Sequence, residues 1–292
     1  MTAFRYRVVD VFTQRALEGN PLAVFPDASA LDELTMQKIA RELNLSESTF
    51  VLPPSNPDCA ARVRIFTPSK EMLFAGHPTI GTSYVLVDEG MIPKGCDRFL
   101  LEEKVGAVPV RVEAGAPPMI WLTTPPIHDG RIFAPAACAE ALELEPSDLL
   151  EPAPQLLSAG NPTLFVALKD KAAVDQANLE LAGARSLKLP GEEPFCVFVF
   201  TPVETGAYSR MFAPEFGMVE DPATGSATGP LAAYMIRNKL VSSADGTRFV
   251  SEQGTRMGRR SFLHVHVRGD QGKLGIDVGG HVTPLVEATM TL

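Results

Sequence analysis

Two rhythms of apolar residues alternate along this chain. Residues 5–13 and 21–25 carry the short, apolar-rich pattern of strands. Met36, Ile39, Ala40 and Leu43 then recur at helical spacing, which predicts a helix over 31–44. Phe50-Val51-Leu52 and residues 61–67 read as extended, and 79–89 as a helix that Gly90 stops. Residues 99–103 and 107–113 predict a hairpin turning at Lys104-Val105-Gly106. Gly115-Ala116-Pro117-Pro118 breaks the pattern, which places the domain boundary there, between 1–116 and 117–281. The second half follows the same plan. Strands are predicted over 119–123, 164–168 and 195–200, an alanine-rich helix over 135–144 and another helix over 229–240. Strands at 249–252, 261–267, 274–278 and 282–292 complete the sheet, the last being free to return to the first domain. The fold class is α+β, with two similar domains.

The likeness of the halves extends to short motifs. Gly19-Asn20-Pro21 precedes a strand in the first, and Gly160-Asn161-Pro162 precedes one in the second. Arg64-Ile65-Phe66-Thr67-Pro68 has a counterpart in Arg210-Met211-Phe212-Ala213-Pro214, and His77-Pro78-Thr79-Ile80-Gly81 in Asp221-Pro222-Ala223-Thr224-Gly225. The matches keep one order and nearly one spacing, which favours duplication over chance likeness of Gly- and Pro-rich turns. A cleft between two such domains is where a small ligand is expected.

The last pair of turns reads as two helix starts, with His77 and Asp221 as caps and Pro78 and Pro222 at the first helical position. Small residues follow each proline, leaving backbone N–H groups accessible. Taken singly, each turn is simply a well-capped helix. Taken together, two helix N-termini with unpaired donors and partial positive charge form a candidate site for a carboxylate.

Charge and composition exclude several functions. In 292 residues Asp and Glu number 35 against 26 Lys and Arg, a net charge of −9 that disfavours phosphate backbones and anionic lipid surfaces. Nucleic-acid and membrane partners are therefore not expected. No apolar run approaches a membrane span, and no signal-peptide core opens the chain, so a cytoplasmic location is expected. Cys59, Cys96, Cys138 and Cys196 are widely spaced, include no Cys-x-x-Cys pair, and read as thiols in a reducing compartment. The histidines His77, His128, His264, His266 and His281 form no metal-binding motif. His264 and His266 share one strand face and read as exposed. Nucleotide-binding glycine loops are absent, and Gly225-Ser226-Ala227-Thr228-Gly229 has its serine one place too early for a nucleophile elbow.

Proton transfer needs an ionisable group in a dry place. Glu47 is the only charged side chain between Asn44 and Pro54, at the point where a helix gives way to an extended segment. Read from the residues alone, it is either a solvated strand-end carboxylate or an acid/base whose protonated form burial favours.

These blocks taken together resemble the PhzF-like (phenazine biosynthesis) isomerase family. The resemblance is carried by Asp10-Val11-Phe12-Thr13, Gly19-Asn20-Pro21-Leu22-Ala23-Val24-Phe25 and Asn44-Leu45-Ser46-Glu47-Ser48-Thr49-Phe50-Val51. Arg64-Ile65-Phe66-Thr67-Pro68, Phe74-Ala75-Gly76-His77-Pro78-Thr79-Ile80-Gly81, Glu220-Asp221-Pro222-Ala223-Thr224-Gly225-Ser226-Ala227 and Glu252-Gln253-Gly254 complete it. It implies two pseudo-symmetric, diaminopimelate-epimerase-like domains, each a curved, mostly antiparallel sheet around a central helix, usually in a homodimer. It also implies a site with no cofactor and no metal, where a glutamate moves a proton between carbons of a small carboxylate such as dihydro-3-hydroxyanthranilate. That glutamate matches Glu47. Its catalytic partners match His77 and Asp221, and substrate-binding positions match Asn20, Ser46, Gly76, Gly225 and Ser226. Leu73 and Arg260 stand where the family often has proline. An amino-acid racemase of the same architecture would instead need two cysteines at the helix starts, and a non-catalytic binding protein would hold its ligand unchanged.

Overall fold

The computed structural model describes residues 1–270 and 273–292. The chain forms two compact units: residues 1–123 with 278–292, and residues 124–277. The strand Met119–Thr123, assigned above to the second half, therefore belongs with the first unit. Gly115-Ala116-Pro117-Pro118 is a turn inside that unit, leading from the strand Gly106–Glu113 into its antiparallel neighbour Met119–Thr123.

The described residues form six α-helices: α1 (Glu33–Leu43), α2 (Gly76–Asp88), α3 (Pro135–Ala141), α4 (Lys171–Gln176), α5 (Leu181–Ser186) and α6 (Gly225–Arg237). In the first unit the strands run in the spatial order Val282–Thr291, Ala3–Val11, Asn20–Phe25, Glu47–Leu52, Ala61–Phe66, Arg98–Glu103, Gly106–Glu113, Met119–Thr123. Two of these pairings are parallel, 20–25 with 47–52 and 61–66 with 98–103, and the rest are antiparallel. Helix α2 touches strands at both ends of that order, so the sheet curls round it. Its residues are buried almost without interruption from Gly76 to Leu86, as expected of a helix enclosed on every side. Gly81 makes the approach possible: a Cβ there would lie 2.6 Å from Leu22 Cδ2 and 2.8 Å from Val11 Cγ2. The outer face is covered by α1, which Asp32 caps by accepting from Thr35 N. Met36, Ile39 and Ala40 of α1 pack on Phe25, Phe50 and Phe66, with Tyr6, Phe25 and Phe50 stacked at about 5 Å centroid spacing.

The second unit repeats this topology. Gln155–Ser158, Pro162–Ala167, Cys196–Val203, Gly206–Ala213, Arg248–Gln253 and Ser261–Asp270 follow one another in the sheet. Parallel pairs fall at the equivalent places, 162–167 with 196–203 and 206–213 with 248–253. Helix α6 packs on 155–158, 162–167 and 261–270, while α3, α4 and α5 cover the opposite face around Phe133, Leu164, Val166, Val197 and Val199.

Several sequence expectations are corrected. Helices α4 and α5 and the strands at 128–132, 155–158, 206–213 and 218–221 were not anticipated, being short or interrupted by polar residues. The alanine-rich helix stops at Ala141, and α6 spans Gly225–Arg237 where 229–240 was expected, with Pro230 inside it. His264 and His266 are half-buried, not exposed.

Gly206 closes the hairpin on Val203 at φ 139°, a backbone region open mainly to glycine. A Cβ there would lie 2.2 Å from the Val250 carbonyl oxygen of the parallel strand. Gly206→Ala is expected to lose about 3 kcal/mol of stability through backbone strain and overpacking. Urea unfolding should show this as a lower midpoint at unchanged slope.

Candidate active site

Helix α1 ends at Asn44 in the left-handed conformation (φ 49°), and Ser46 lies half-buried in the bend that follows. Glu47 is then the first residue of its strand, in register with Leu22 of the parallel neighbour. Asn20 begins that neighbour and is completely buried. The helix–strand crossover thus places Glu47 and Asn20 at the same end of adjacent strands.

His77 reaches both. Its Nε2 lies 3.4 Å from Glu47 Oε2, and its Nδ1 lies 3.4 Å from Asn20 Nδ2. The ring is buried, and burial drives its pKa down from 6.5 to about 3, against a smaller opposing hydrogen bond to the Pro21 carbonyl. The N-terminus of α2 also disfavours a cation at this position. His77 is therefore neutral at ordinary pH, and its contact with Glu47 is not an ion pair. One ring nitrogen carries a proton and the other a lone pair, and a small shift from 3.4 Å makes a hydrogen bond with the carboxyl group, as catalytic contacts do when substrate binds. Glu47 itself has a side chain only 12% exposed.

The helix starts differ from the sequence expectation. Ala75, not His77, is the cap residue of α2, and Thr224, not Asp221, is that of α6. Gly76 and Gly225 are the first helical residues, and His77 and Ser226 the second. Pro78 occupies the third position without cost, because the first N–H groups of a helix have no partner within it. Neither start has a side-chain cap, which leaves the N–H groups of Gly76, Gly225 and Ser226 as candidate donors to an anion.

This shifts the internal correspondence. His77 is equivalent to Ser226, not to Asp221. Asn161 Nδ2 donates to Ser226 Oγ at 3.4 Å, as Asn20 Nδ2 approaches His77 in the other unit. Thr79 and Thr228 each return a hydroxyl hydrogen bond to the carbonyl of the cap residue, at 2.8 and 3.0 Å. Arg64 grips Glu71 through Nε and Nη2 and lies over Phe66, while Arg210 grips Glu220 in the same way over Phe212. Each Arg–Glu pair ties the short strand leading to a helix start to its neighbour.

Asp221 ends the strand Met218–Asp221 and is buried. Thr224 Oγ1 donates to its Oδ2 at 2.5 Å, and Gln253 Nε2 donates to its carbonyl at 2.7 Å and to Thr224 Oγ1 at 3.0 Å. The side-chain oxygen of Gln253 accepts from Thr224 N at 3.1 Å. Thr224 and Gln253, which brace Asp221, were not singled out from the sequence although both stand inside the motifs quoted above. Arg260 pairs with Glu252 through two bonds of 2.9 and 3.0 Å, steadying the strand end that carries Gln253, and Leu73 is exposed ahead of α2.

None of the four cysteines lies on either helix start, and no disulfide joins them. Burial pushes the Cys138 thiol up to about 12. Among the described residues, no three His, Cys, Asp or Glu side chains gather as a metal-binding group. No described helix is long and apolar enough to cross a membrane.

A family model described as phenazine biosynthesis-like protein matches residues 9–288. The chain belongs to the PhzF-like isomerase family. The trans-2,3-dihydro-3-hydroxyanthranilate isomerase of Pseudomonas aeruginosa is 36% identical over 292 residues, covering 97% of this chain and 98% of its own. A PhzF-family phenazine biosynthesis protein of Bacillus anthracis has the same fold, with a TM-score of 0.90 at 26% identity and full coverage of both chains. The fold extends to a hydroxyproline epimerase of Agrobacterium vitis, with a TM-score of 0.67 at 14% identity over 99% of this chain and 93% of that one. This PhzF-like chain is thus an isomerase of α+β fold.

Because folded His77 resists protonation and unfolded histidine does not, the unfolded state binds the extra proton below about pH 6.5. The His77 contribution to stability is therefore full above that pH and lost progressively as pH falls toward 3. His77→Asn should flatten the acid limb of stability against pH, measured by urea unfolding between pH 7 and 4.5.

Proposed function

We propose that this PhzF-like isomerase moves a proton between carbon atoms of a small carboxylate-bearing substrate similar to trans-2,3-dihydro-3-hydroxyanthranilate, with Glu47 as the acid/base. The observation carrying this reading is a largely buried carboxyl group within 3.4 Å of a neutral imidazole. Such a carboxylate can take a proton from carbon as the electrons of the C–H bond shift into the adjoining π system. It then returns the proton to a second carbon, and the enol so formed goes over to the ketone. His77 orients the carboxyl group and the substrate's polar atoms, and Asn20 and Ser46 line the same end of the strands. In the second unit Thr224 and Gln253 hold Asp221, whose carboxylate keeps lone pairs able to accept polar hydrogens. The N–H groups of Gly76 in the first unit, and of Gly225 and Ser226 in the second, each favour negative charge, as a carboxylate or developing enolate requires. On this reading the enzyme works without cofactor or metal, as a homodimer in the cytoplasm.

The test is turnover of trans-2,3-dihydro-3-hydroxyanthranilate in D₂O. Wild type should incorporate solvent deuterium into product, and Glu47→Gln should lower turnover about 10²- to 10⁴-fold, the usual contribution of a positioned acid/base. Wild-type turnover and deuterium uptake in the variant would remove Glu47 from the mechanism.

A further inference from the structure

The tip of the hairpin formed by Arg98–Glu103 and Gly106–Glu113 touches the entry to α2 at three points. Lys104 Nζ pairs with Glu71 Oε2 at 2.5 Å. Val105 N donates to the Leu73 carbonyl at 3.1 Å. Glu103, a buried residue at the end of its strand, places Oε1 2.6 Å from Thr79 Oγ1 in the first turn of the helix. These contacts bracket residues 73–79, and therefore Gly76 and His77, from both sides.

The Thr79 contact sets two acceptors in competition for one proton, since the hydroxyl is placed to donate either to Glu103 Oε1 or to a backbone carbonyl. The same hydroxyl lies 2.8 Å from the Ala75 carbonyl oxygen, the back-bond that Thr228 repeats in the second unit. A hydroxyl has one hydrogen to give. With that hydrogen on Ala75, an ionised carboxylate would set oxygen lone pair against oxygen lone pair at 2.6 Å. A neutral carboxylic acid removes the conflict by donating its own proton to Thr79 Oγ1. The other oxygen, Oε2, is buried and makes no hydrogen bond among the described residues, which a neutral carbonyl oxygen tolerates far better than half of a carboxylate.

We propose that Glu103 is a positioning residue: held as a neutral acid, it acts with Lys104 and Val105 as a clamp on the segment entering α2 and fixes Gly76 and His77 in place. The functional part of this inference rests on the reading of Gly76 and His77 as site residues. Burial supports the neutral state by pushing the carboxyl pKa up to about 8, against a smaller opposing pull from the Thr79 hydroxyl. The charged groups on the surrounding elements have other partners. Lys104 is taken by Glu71, Glu102 by Ser55, Asn56 and Arg62, and Arg111 on the partner strand by Glu113, while His77 on the helix is neutral. No cation is among the influences on Glu103.

Two spectroscopic readings test the clamp without a substrate. Infrared spectra of protein carrying ¹³C-carboxyl-labelled glutamate should show a protonated carboxylic-acid band at pH 7 that Glu103→Gln abolishes. Ring resonances of ¹⁵N-labelled histidine, assigned to His77 with His77→Asn, should shift in the wild type as pH passes about 8. They should stay fixed over that range in Glu103→Gln, whose amide N–H donates to Thr79 in place of the acid. Thr79→Val, which removes the hydroxyl and keeps the shape, should displace them at neutral pH. A band that survives Glu103→Gln, or His77 resonances unchanged in Thr79→Val, would overturn the proposal. If Glu103→Gln does not fold, the wild-type titration and Thr79→Val decide it. These readings are independent of Glu47→Gln turnover, so the clamp and the proton-transfer reading can fail separately.

Discussion

Burial keeps the His77 imidazole uncharged, and the chemistry open to the first unit follows from that. A protonated ring would fix Glu47 as the anionic half of an ion pair and hold its proton affinity down. A neutral ring 3.4 Å away leaves the carboxyl group able to gain and lose a proton, while still offering it a hydrogen-bond partner. The same helix start supplies both conditions. Its unpaired N–H groups and positive end repel an imidazolium and attract an anion, so one feature of α2 keeps its own histidine neutral and favours negative charge beside it.

The two units share one frame and differ in the side chains it carries. An asparagine at the head of a strand, Asn20 opening 20–25 and Asn161 just ahead of 162–167, reaches the second residue of the helix in each unit, but that residue is an imidazole in one and a hydroxyl in the other. The supports stay alike, down to the Arg–Glu fork lying over a phenylalanine and the threonine bonded back to the cap carbonyl. What differs is where each unit carries its carboxylate. Unit one places its carboxylate on the strand after the crossover helix, as Glu47. Unit two places one on the short strand before α6, as Asp221, and holds it with Thr224 and Gln253.

Glu47 stood out in the sequence as a lone charge opening an apolar extended segment, a pattern that the residues alone leave open between a solvated strand end and an acid/base; the fold turns it inward, its side chain 12% exposed beside His77. The register of the helix starts was not legible. Proline suits the first helical position so well that Pro78 and Pro222 suggested helices beginning there, yet a missing N–H is equally harmless at the third position, where Pro78 stands. Pro222 lies between a strand and a cap and is not helical at all. The short helices α4 and α5 gave no usable periodicity, since a six-residue helix shows fewer than two turns of it. Glu103 follows another glutamate and precedes a lysine at a hairpin turn, which reads as a solvated tip. Only the parallel pairing of 98–103 with 61–66 and the closing of the sheet round α2 bring it against Thr79.

Glu103 and His77 belong to one electrostatic arrangement. Both titrate in their free forms on the acid side of neutrality, both are buried at the same helix start, and burial moves them in opposite directions, so that each is uncharged at pH 7. An ionised Glu103 in the first turn would satisfy the positive end of α2 from inside the protein and weaken its pull on any other anion. Held neutral, it contributes position and no field. On the proposed reading, the helix end is then left to act on charge arriving from Glu47 or from a bound carboxylate, and a dipole fixed in place before the reaction is what makes such stabilisation effective. Packing around this turn therefore sets local electrostatics by suppressing charge, and the arrangement ties the stability of the fold to the polarity of the α2 helix start.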